Sequence, residues 1–278
     1  MHLTVDATDS PQRVLDEAGG FLNGDPARNN LILTLLNTRI AHPEAGRYWI
    51  ARHCGEACGV VLQSPVHFFA TLTPMPRDAI TAIVDAIADD GIHLPGVSGE
   101  AGTAATFAGH WAERTRSPAR PVEGQRLLEA ERISPPTPGP GQLRAATPDD
   151  RVRLVRWFDE FEAETGAPSD RENAAIVDRR LPAGHLWIWD HHQAVSMAGL
   201  SDPVAGVVRI GPVYTPRDRR ARGYASRLVA AITRDARSRD QRCILYTDLA
   251  NPTSNGIYRA IGYHAVSEVV RYAFEPPH

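Results

Sequence analysis

At 278 residues the chain is long enough for two domains of ordinary size or one large one. Its 42% hydrophobic and 23% charged content belong to a globular protein with a real core. A formal net charge of −3 excludes the global basic field that holds nucleic acid or an anionic membrane. All 30 basic residues are arginine, which removes Schiff-base chemistry and any phosphate loop built on a lysine. No apolar run approaches the length of a bilayer span, and "MHLTVDATDSPQ" lacks the basic start and apolar core of a secretory signal, so no membrane association and a cytoplasmic location are expected.

In chain order, residues 47–54 and 58–64 read as a hairpin, 67–73 as a third strand, 77–89 as a helix, 92–98 as a strand, 101–115 as a helix and 125–133 as a strand. The hairpin contains "HCGEAC", where His53, Cys54 and Cys58 could suggest a zinc corner. No second Cys/His pair stands at a useful spacing, so "GE" reads as the turn and no metal is expected. The three cysteines, Cys54, Cys58 and Cys243, are an odd set in a chain without a signal, which argues against a disulfide framework. Residues 134–141, "SPPTPGPG", are too stiff and too poor in donors for a helix or central strand and mark a linker.

Beyond it, 143–147 reads as a short strand. Thr147 with Asp150 resembles an N-cap, and apolar positions at helical spacing run on through Thr165. A helix over 170–181 is followed by strands at 185–190, 194–201 and 205–215. A helix over 222–238, a buried strand at 243–249, a short helix around 254–261 and a last strand over 265–274 complete a mixed α/β domain. From residue 185 onward the order β-β-β-α-β-α-β repeats that of the first half, without a residue-level repeat.

The chemistry concentrates in "VYTPRDRRARGYASRLVAAI", residues 213–232. A helix N-terminus offers unpaired backbone N–H groups and a partial positive charge, and a phosphate satisfies both. Gly223, with the small Ala225 and Ser226, would leave that backbone open, and Arg220 and Arg222 would add charge. The alternative is a tight turn with solvated arginines. Upstream, Pro212 cannot donate to a ladder and Gly211 fits a bulge, so the strand should part from a neighbour and leave a gap for an extended, amide-bearing ligand. Downstream, Asn251, Asn255 and Tyr258 stand one helical turn apart and could line the same cleft, or serve as a cap and a packed ring.

"RRARGYA" contains the pattern Arg/Gln-x-x-Gly-x-Gly/Ala over Arg220–Ala225, and "NPTSNGIYRAIGY" resembles the motif Asn-x-x-Ala-x-x-Leu-Tyr-x-x-x-Gly-Phe. Together they resemble the GNAT superfamily of acetyl-CoA-dependent N-acetyltransferases, specifically over 205–264 and in element order from 143 to the end. The resemblance implies a mixed sheet flanked by helices with a splayed central strand. It also implies a catalytic lobe at 142–278 and a degenerate GNAT-like lobe at 1–133. By similarity, Val213, Tyr214 and Thr215 would pair with the pantetheine arm. The backbone of Arg220, Ala221, Arg222, Gly223, Tyr224, Ala225 and Ser226 would cradle the pyrophosphate. Asn251, and less directly Asn255, would contact the cofactor, and Tyr258 would protonate the departing thiolate.

The base that takes the amine's proton is not given by the motif. Asp202, Asp248 and, more weakly, His185 are candidates, each equally readable as a turn or strand-end residue. Ala225 and Ser254 replace a glycine and an alanine of the family's pattern and stay small. The first half, with "TLTPMPRDAITA" where a cradle should lie, is expected to bind no CoA. The acceptor stays open among small amines, antibiotics and peptide N-termini. Glu160, Glu162 and Glu164 are either acceptor-facing or a solvated helix face, and Trp157, Phe158, Phe161, Trp187 and Trp189 are expected in the core. Two competing classes remain: transfer from another donor such as a charged tRNA, and a silent CoA-binding protein.

Overall fold

The computed structural model describes residues 3–165 and 172–276. In chain order the elements are β1 (Leu3–Thr8), α1 (Pro11–Gly24), α2 (Asn30–Ala41), β2 (Arg47–His53), β3 (Glu56–Gln63), β4 (Ala70–Leu72), α3 (Arg77–Asp89), β5 (Gly96–Glu100), α4 (Ala101–Thr115) and β6 (Ala119–Ala130). The same order then recurs as β7 (Gln142–Ala145), α5 (Arg151–Thr165), α6 (Asn173–Arg180), β8 (Leu186–Asp190), β9 (Ala194–Leu200), β10 (Val207–Tyr214), α7 (Tyr224–Arg237), β11 (Arg242–Asp248), α8 (Pro252–Ala260) and β12 (Tyr263–Phe274). The repeat expected from residue 185 onward therefore extends to the whole of both halves. The start of the expected helix over 170–181 falls partly outside the described residues.

Contacts divide the chain into two units: one of residues 1–127, 247–250 and 265–278, the other of 128–246 and 251–264. In the first, β1, β2, β3 and β4 pair antiparallel in sequence order. β4 then runs parallel to β5 through Ala70↔Val97 and Thr71↔Ser98. The C-terminal part of β12 closes this unit by pairing antiparallel with β5, from Val269↔Glu100 to Ala273↔Gly96. The chain's end thus belongs by contact to the first unit, because its backbone hydrogen bonds are made there.

Several local expectations are corrected. The hairpin turn is centred on Cys54 and Gly55, not on "GE": both have positive φ (52° and 89°), as a two-residue turn requires, and Glu56 already pairs with His53. The third strand shrinks to Ala70–Leu72, since Phe68 N–H turns back to the Pro65 carbonyl at 3.0 Å. The next strand starts only at Gly96, after Pro95, which has no N–H to give a ladder. Residues 1–46, unassigned from sequence, hold β1, α1 and α2. Ser10 caps α1 by accepting the Arg13 N–H at 3.2 Å, with Pro11 at its first position, whereas α2 is apolar on most sides and carries little periodicity.

In the second unit the strands lie in the order β7, β8, β9, β10, β11. Neighbours are antiparallel except β10 and β11, which are parallel. One face packs α7 and α8: Leu228, Val229 and Ile232 of α7 and Tyr258 of α8 meet Val208 and Ile210 of β10. The other face packs α5 and α6, with Leu154, Trp157, Phe158 and Val177 against Leu186, Ile188, Met197 and Tyr214. Each fully buried Leu or Ile in these layers stabilises the unit by about 1.5–3 kcal/mol. The proline-rich strap lies on this unit. Trp189 Nε1–H donates to the Pro140 carbonyl (3.1 Å), Arg227 to that of Thr137 (3.4 Å), and Ser134 N–H to that of Ile261 (3.1 Å).

The expected N-cap at Thr147 is reciprocal, with Asp150 accepting the Thr147 N–H at 2.9 Å. Asp150 is buried and takes a two-pronged contact from Arg144, at 2.7 and 3.0 Å, which also holds Asp190. Burial alone would raise its pKa, but Arg144 and the Thr147 N–H outweigh it and hold the carboxyl below its ordinary value of 3.8. A depressed pKa stabilises the fold above the unfolded pKa and loses that stability as pH falls through the folded one. Asp150→Asn should therefore cost about 3 kcal/mol near neutrality. In urea denaturation the difference from the parent should shrink as pH drops below about 4.

Candidate functional site

The site begins where two parallel strands stop pairing. The β10–β11 ladder runs from Val207↔Arg242 to Ile210↔Leu245, yet β10 continues to Tyr214 and β11 to Asp248. On its other edge β10 shifts register between Ile210 and Val213, then resumes with Val213↔Ala198 and Tyr214↔Met197. Gly211 and Pro212 occupy that irregularity, as their chemistry predicts. Arg180 of α6 fills part of it, donating to the Gly211 carbonyl at 3.1 Å. Gly199 makes room for this: a Cβ there would lie 2.6 Å from the Gly211 oxygen and 2.8 Å from Arg180 Nη1.

Past Tyr214 the chain is held from below. Ser196 Oγ donates to the Tyr214 carbonyl (3.0 Å) and lies 2.8 Å from Thr215 Oγ1. The Tyr214 hydroxyl donates to Glu160 at 2.8 Å; burial, then this carboxylate, pushes its pKa up to about 12. The arginine run is anchored by α5. Arg217 Nε and Arg220 Nη2 both reach Glu164, at 3.0 and 2.6 Å, and Arg220 Nε also donates to the Thr215 carbonyl at 2.9 Å. Burial would raise the Glu164 pKa, but the two guanidiniums bring it below its ordinary value. Glu162 accepts from Asn173 at 2.7 Å. The three glutamates thus tie elements of the second unit together.

At the junction, Ala221 and Gly223 both have positive φ, 59° and 70°, and Gly223 is the N-cap of α7 with no side-chain cap. The first helical bond is Arg227 N–H to the Gly223 carbonyl at 3.1 Å, so the N–H groups of Tyr224, Ala225 and Ser226 precede the helical ladder. The Arg220 N–H donates to Arg217 at a long 3.4 Å. Arg222 reaches back to the Asp218 carbonyl at 3.3 Å. Arg227 lies over the rings of Trp189 and Tyr224, and the Tyr224 hydroxyl meets His191 Nδ1 at 2.8 Å.

In α8, Asn251 is the N-cap, accepting the Ser254 N–H at 3.0 Å, while Asn255 Nδ2 donates to the Asn251 carbonyl at 2.8 Å. Tyr258 is buried one turn later, its ring 6.0 Å from that of Tyr263, and burial pushes its pKa up to about 12. Among the described residues no group hydrogen-bonds its hydroxyl. Asp202 stands at the β9–β10 turn, the end of β10 away from Thr215, 3.0 Å from His185 Nε2. Asp248 groups with the first unit and accepts the Ala250 N–H at 2.8 Å. Among the described residues no cluster of His, Cys, Asp and Glu could hold a metal, and no helix is long and apolar enough to cross a membrane.

Sequence reasoning missed Arg180, which meets the bulge, and Arg227, which lies over Trp189 and Tyr224 at the start of α7.

A parallel pair that parts midway, with an uncapped glycine-led helix at the mouth, is the geometry the two motifs implied. Among known families, the model described as FR47-like protein matches residues 200–272. No curated protein matches the chain. Solved structures match it along its whole length. A GNAT-family acetyltransferase from Colwellia psychrerythraea is 10% identical with a TM-score of 0.62, covering 98% of this chain and 100% of its own. The fold is that of the GNAT acetyltransferases. A GCN5-related N-acetyltransferase from Sphaerobacter thermophilus is similar at 18% identity and TM-score 0.61, over 99% and 97% of the two chains. A tandem GNAT protein from the clavulanic acid biosynthesis pathway is 13% identical, with a TM-score of 0.58 and full coverage of both chains. The duplicated element order is thus a tandem of two GNAT-like lobes, with the splayed strand in the second.

Gly223 offers a direct test of the backbone requirement. Gly223→Ala should destabilise by about 1–2 kcal/mol, since its φ is left-handed and the new Cβ would lie 3.1 Å from Arg227 Nη1. Gly256→Ala, within α8 and with nothing inside 4 Å, should instead stabilise by about 1 kcal/mol. Urea melts of the two variants should move in opposite directions.

Proposed function

We propose that the chain is an acyl-CoA-dependent N-acyltransferase that moves an acetyl group from acetyl-CoA to a primary amine by direct attack. The observation that carries this reading is the end of the β10–β11 ladder at Ile210↔Leu245, followed by an α7 N-terminus with no side-chain cap. The gap suits the amide-bearing pantetheine arm, laid along Val213, Tyr214 and Thr215. The diphosphate would lie against the backbone from Ala221 to Ser226, with the Arg220 N–H at the edge of the cradle. Asn251 and Asn255 would border the arm from α8.

In the reaction the amine's lone pair attacks the thioester carbonyl, and a backbone N–H of the splayed strand stabilises the oxyanion. Collapse breaks the C–S bond, and Tyr258 gives its proton to the departing thiolate. A phenol held near pKa 12 is fully protonated at neutral pH, as a general acid must be. Asp202 is bound to His185 and the Asp248 carboxylate to a backbone N–H, so this reading leaves the ammonium's proton to solvent.

The first lobe is read as CoA-free. Leu72 of β4 packs where a Cβ on Gly99 would stand (2.9 Å), and Pro74 and Pro76 lead into α3 without N–H groups for a phosphate. Transfer from a charged tRNA is disfavoured by Glu164, which takes up the charge of Arg217 and Arg220.

Calorimetry with acetyl-CoA at two salt concentrations tests the reading. Binding that weakens little with salt is expected, while a steep loss, or binding of tRNA instead, would replace it. Tyr258→Phe should lower kcat by about a hundredfold with acetyl-CoA affinity unchanged. An unaffected kcat would give the acid's role to another group.

A further inference from the structure

The proline-rich strap meets the start of α7 at Arg227, in the first turn of that helix. Among the described residues its guanidinium makes two hydrogen bonds: Nη2 donates to the Arg222 carbonyl at 2.5 Å, and Nη1 to the Thr137 carbonyl of the strap at 3.4 Å. Its Nε is buried without a partner, so those two carbonyls and the faces of Trp189 and Tyr224 hold the group. Trp189 Nε1–H also donates to the Pro140 carbonyl at 3.1 Å, so one ring braces both the strap and Arg227. The strap fits closely: a Cβ on Gly139 would lie 2.6 Å from Arg227 Cζ and 3.0 Å from Nη2. The Gly139 backbone is outside the left-handed region, so a side chain there would displace the flexible guanidinium without straining the chain.

In a trans peptide the C=O and the following N–H point in opposite directions, and the Arg222–Gly223 peptide is trans. Drawing the Arg222 carbonyl toward Arg227 therefore turns the Gly223 N–H the other way. Among the described residues that N–H has no partner. The backbone N–H of Arg227 holds the Gly223 carbonyl at 3.1 Å, which sets the Tyr224 N–H in the same manner. Two successive N–H groups at the head of α7 are thus aimed by one residue, and that residue is held by the strap.

On the acyltransferase reading above, we infer that the strap is a working part of the donor site. Docked through Thr137 and Gly139, it keeps Arg227 on the Arg222 carbonyl and so aims the Gly223 and Tyr224 N–H groups at the diphosphate of the acyl-CoA. Arg227 and Gly139 are positioning residues that act through this backbone. Strap and diphosphate bear on the same peptide, so each favours the other. A bound diphosphate tightens the strap by the factor by which the strap tightens the diphosphate.

The experiment measures calorimetric affinity of the full chain for acetyl-CoA, and hydrogen exchange over 134–141 with and without saturating acetyl-CoA. Gly139→Val and Arg227→Met should each weaken binding by roughly 10-fold, about the worth of one oriented hydrogen bond. The double variant should bind no more weakly than Arg227→Met alone, because both changes remove one contact. Arg227→Lys keeps the charge without the planar fork and should stay impaired. Acetyl-CoA should slow exchange in the strap of the parent and leave it unchanged in Arg227→Met. If the parent and Gly139→Val bind acetyl-CoA alike, if the two losses add in the double variant, if Arg227→Lys binds like the parent, or if strap exchange ignores the ligand, the inference falls and the acyltransferase reading stands. If the parent does not bind acetyl-CoA, both fall.

Discussion

The second unit depends on one broken ladder. Parallel strands hold each other through evenly spaced hydrogen bonds, and each bond omitted leaves an N–H and a C=O to satisfy elsewhere. β10 and β11 share four register positions and then stop. The chain meets the cost by pairing β10's far end with β9, by anchoring the Tyr214 carbonyl to Ser196, and by giving the Gly211 carbonyl to Arg180. One edge is thereby fixed while the other is left open. On the proposed reading, an extended ligand in that opening would replace the missing strand.

Charge around the opening is organised by helix α5 as much as by the arginine run. Glu160 fixes the Tyr214 hydroxyl, and Glu164 takes both Arg217 and Arg220. Exposed ion pairs of this kind add little to stability. Their effect is on placement, since they hold the loop between β10 and α7 in one conformation and reduce its net positive field. On the proposed reading, the backbone N–H groups at α7 would hold the phosphate, with the arginine side chains in a supporting position.

The two lobes show how one element order yields different surfaces. Both carry a parallel pair at the same place in the order, β4 with β5 and β10 with β11. In the second lobe a glycine and a proline interrupt the strand and a glycine opens the following helix. In the first, Leu72 packs at Gly99, and prolines without N–H groups precede α3.

The sequence by itself determined whatever depends on neighbours a few residues apart. The positive φ at Gly223, the interruption at Gly211-Pro212, the Thr147–Asp150 cap, the helices at 77–89 and 101–115 and the element order from 47 onward are of this kind. Residues 1–46 escaped because α2 is apolar on most sides, and the strand limits at 67–73 and 92–98 failed because the turn at Pro65–Phe68 and the missing N–H of Pro95 override β propensity. Only the tertiary structure decided where the arginine charges go, because Glu164 lies more than fifty residues before Arg217 and Arg220. It alone showed that Arg180 meets Gly211 and that β12 pairs with β5. Those outcomes depend on register and on which strand lies beside which, and hydrophobic periodicity is the same for every neighbour a strand could take.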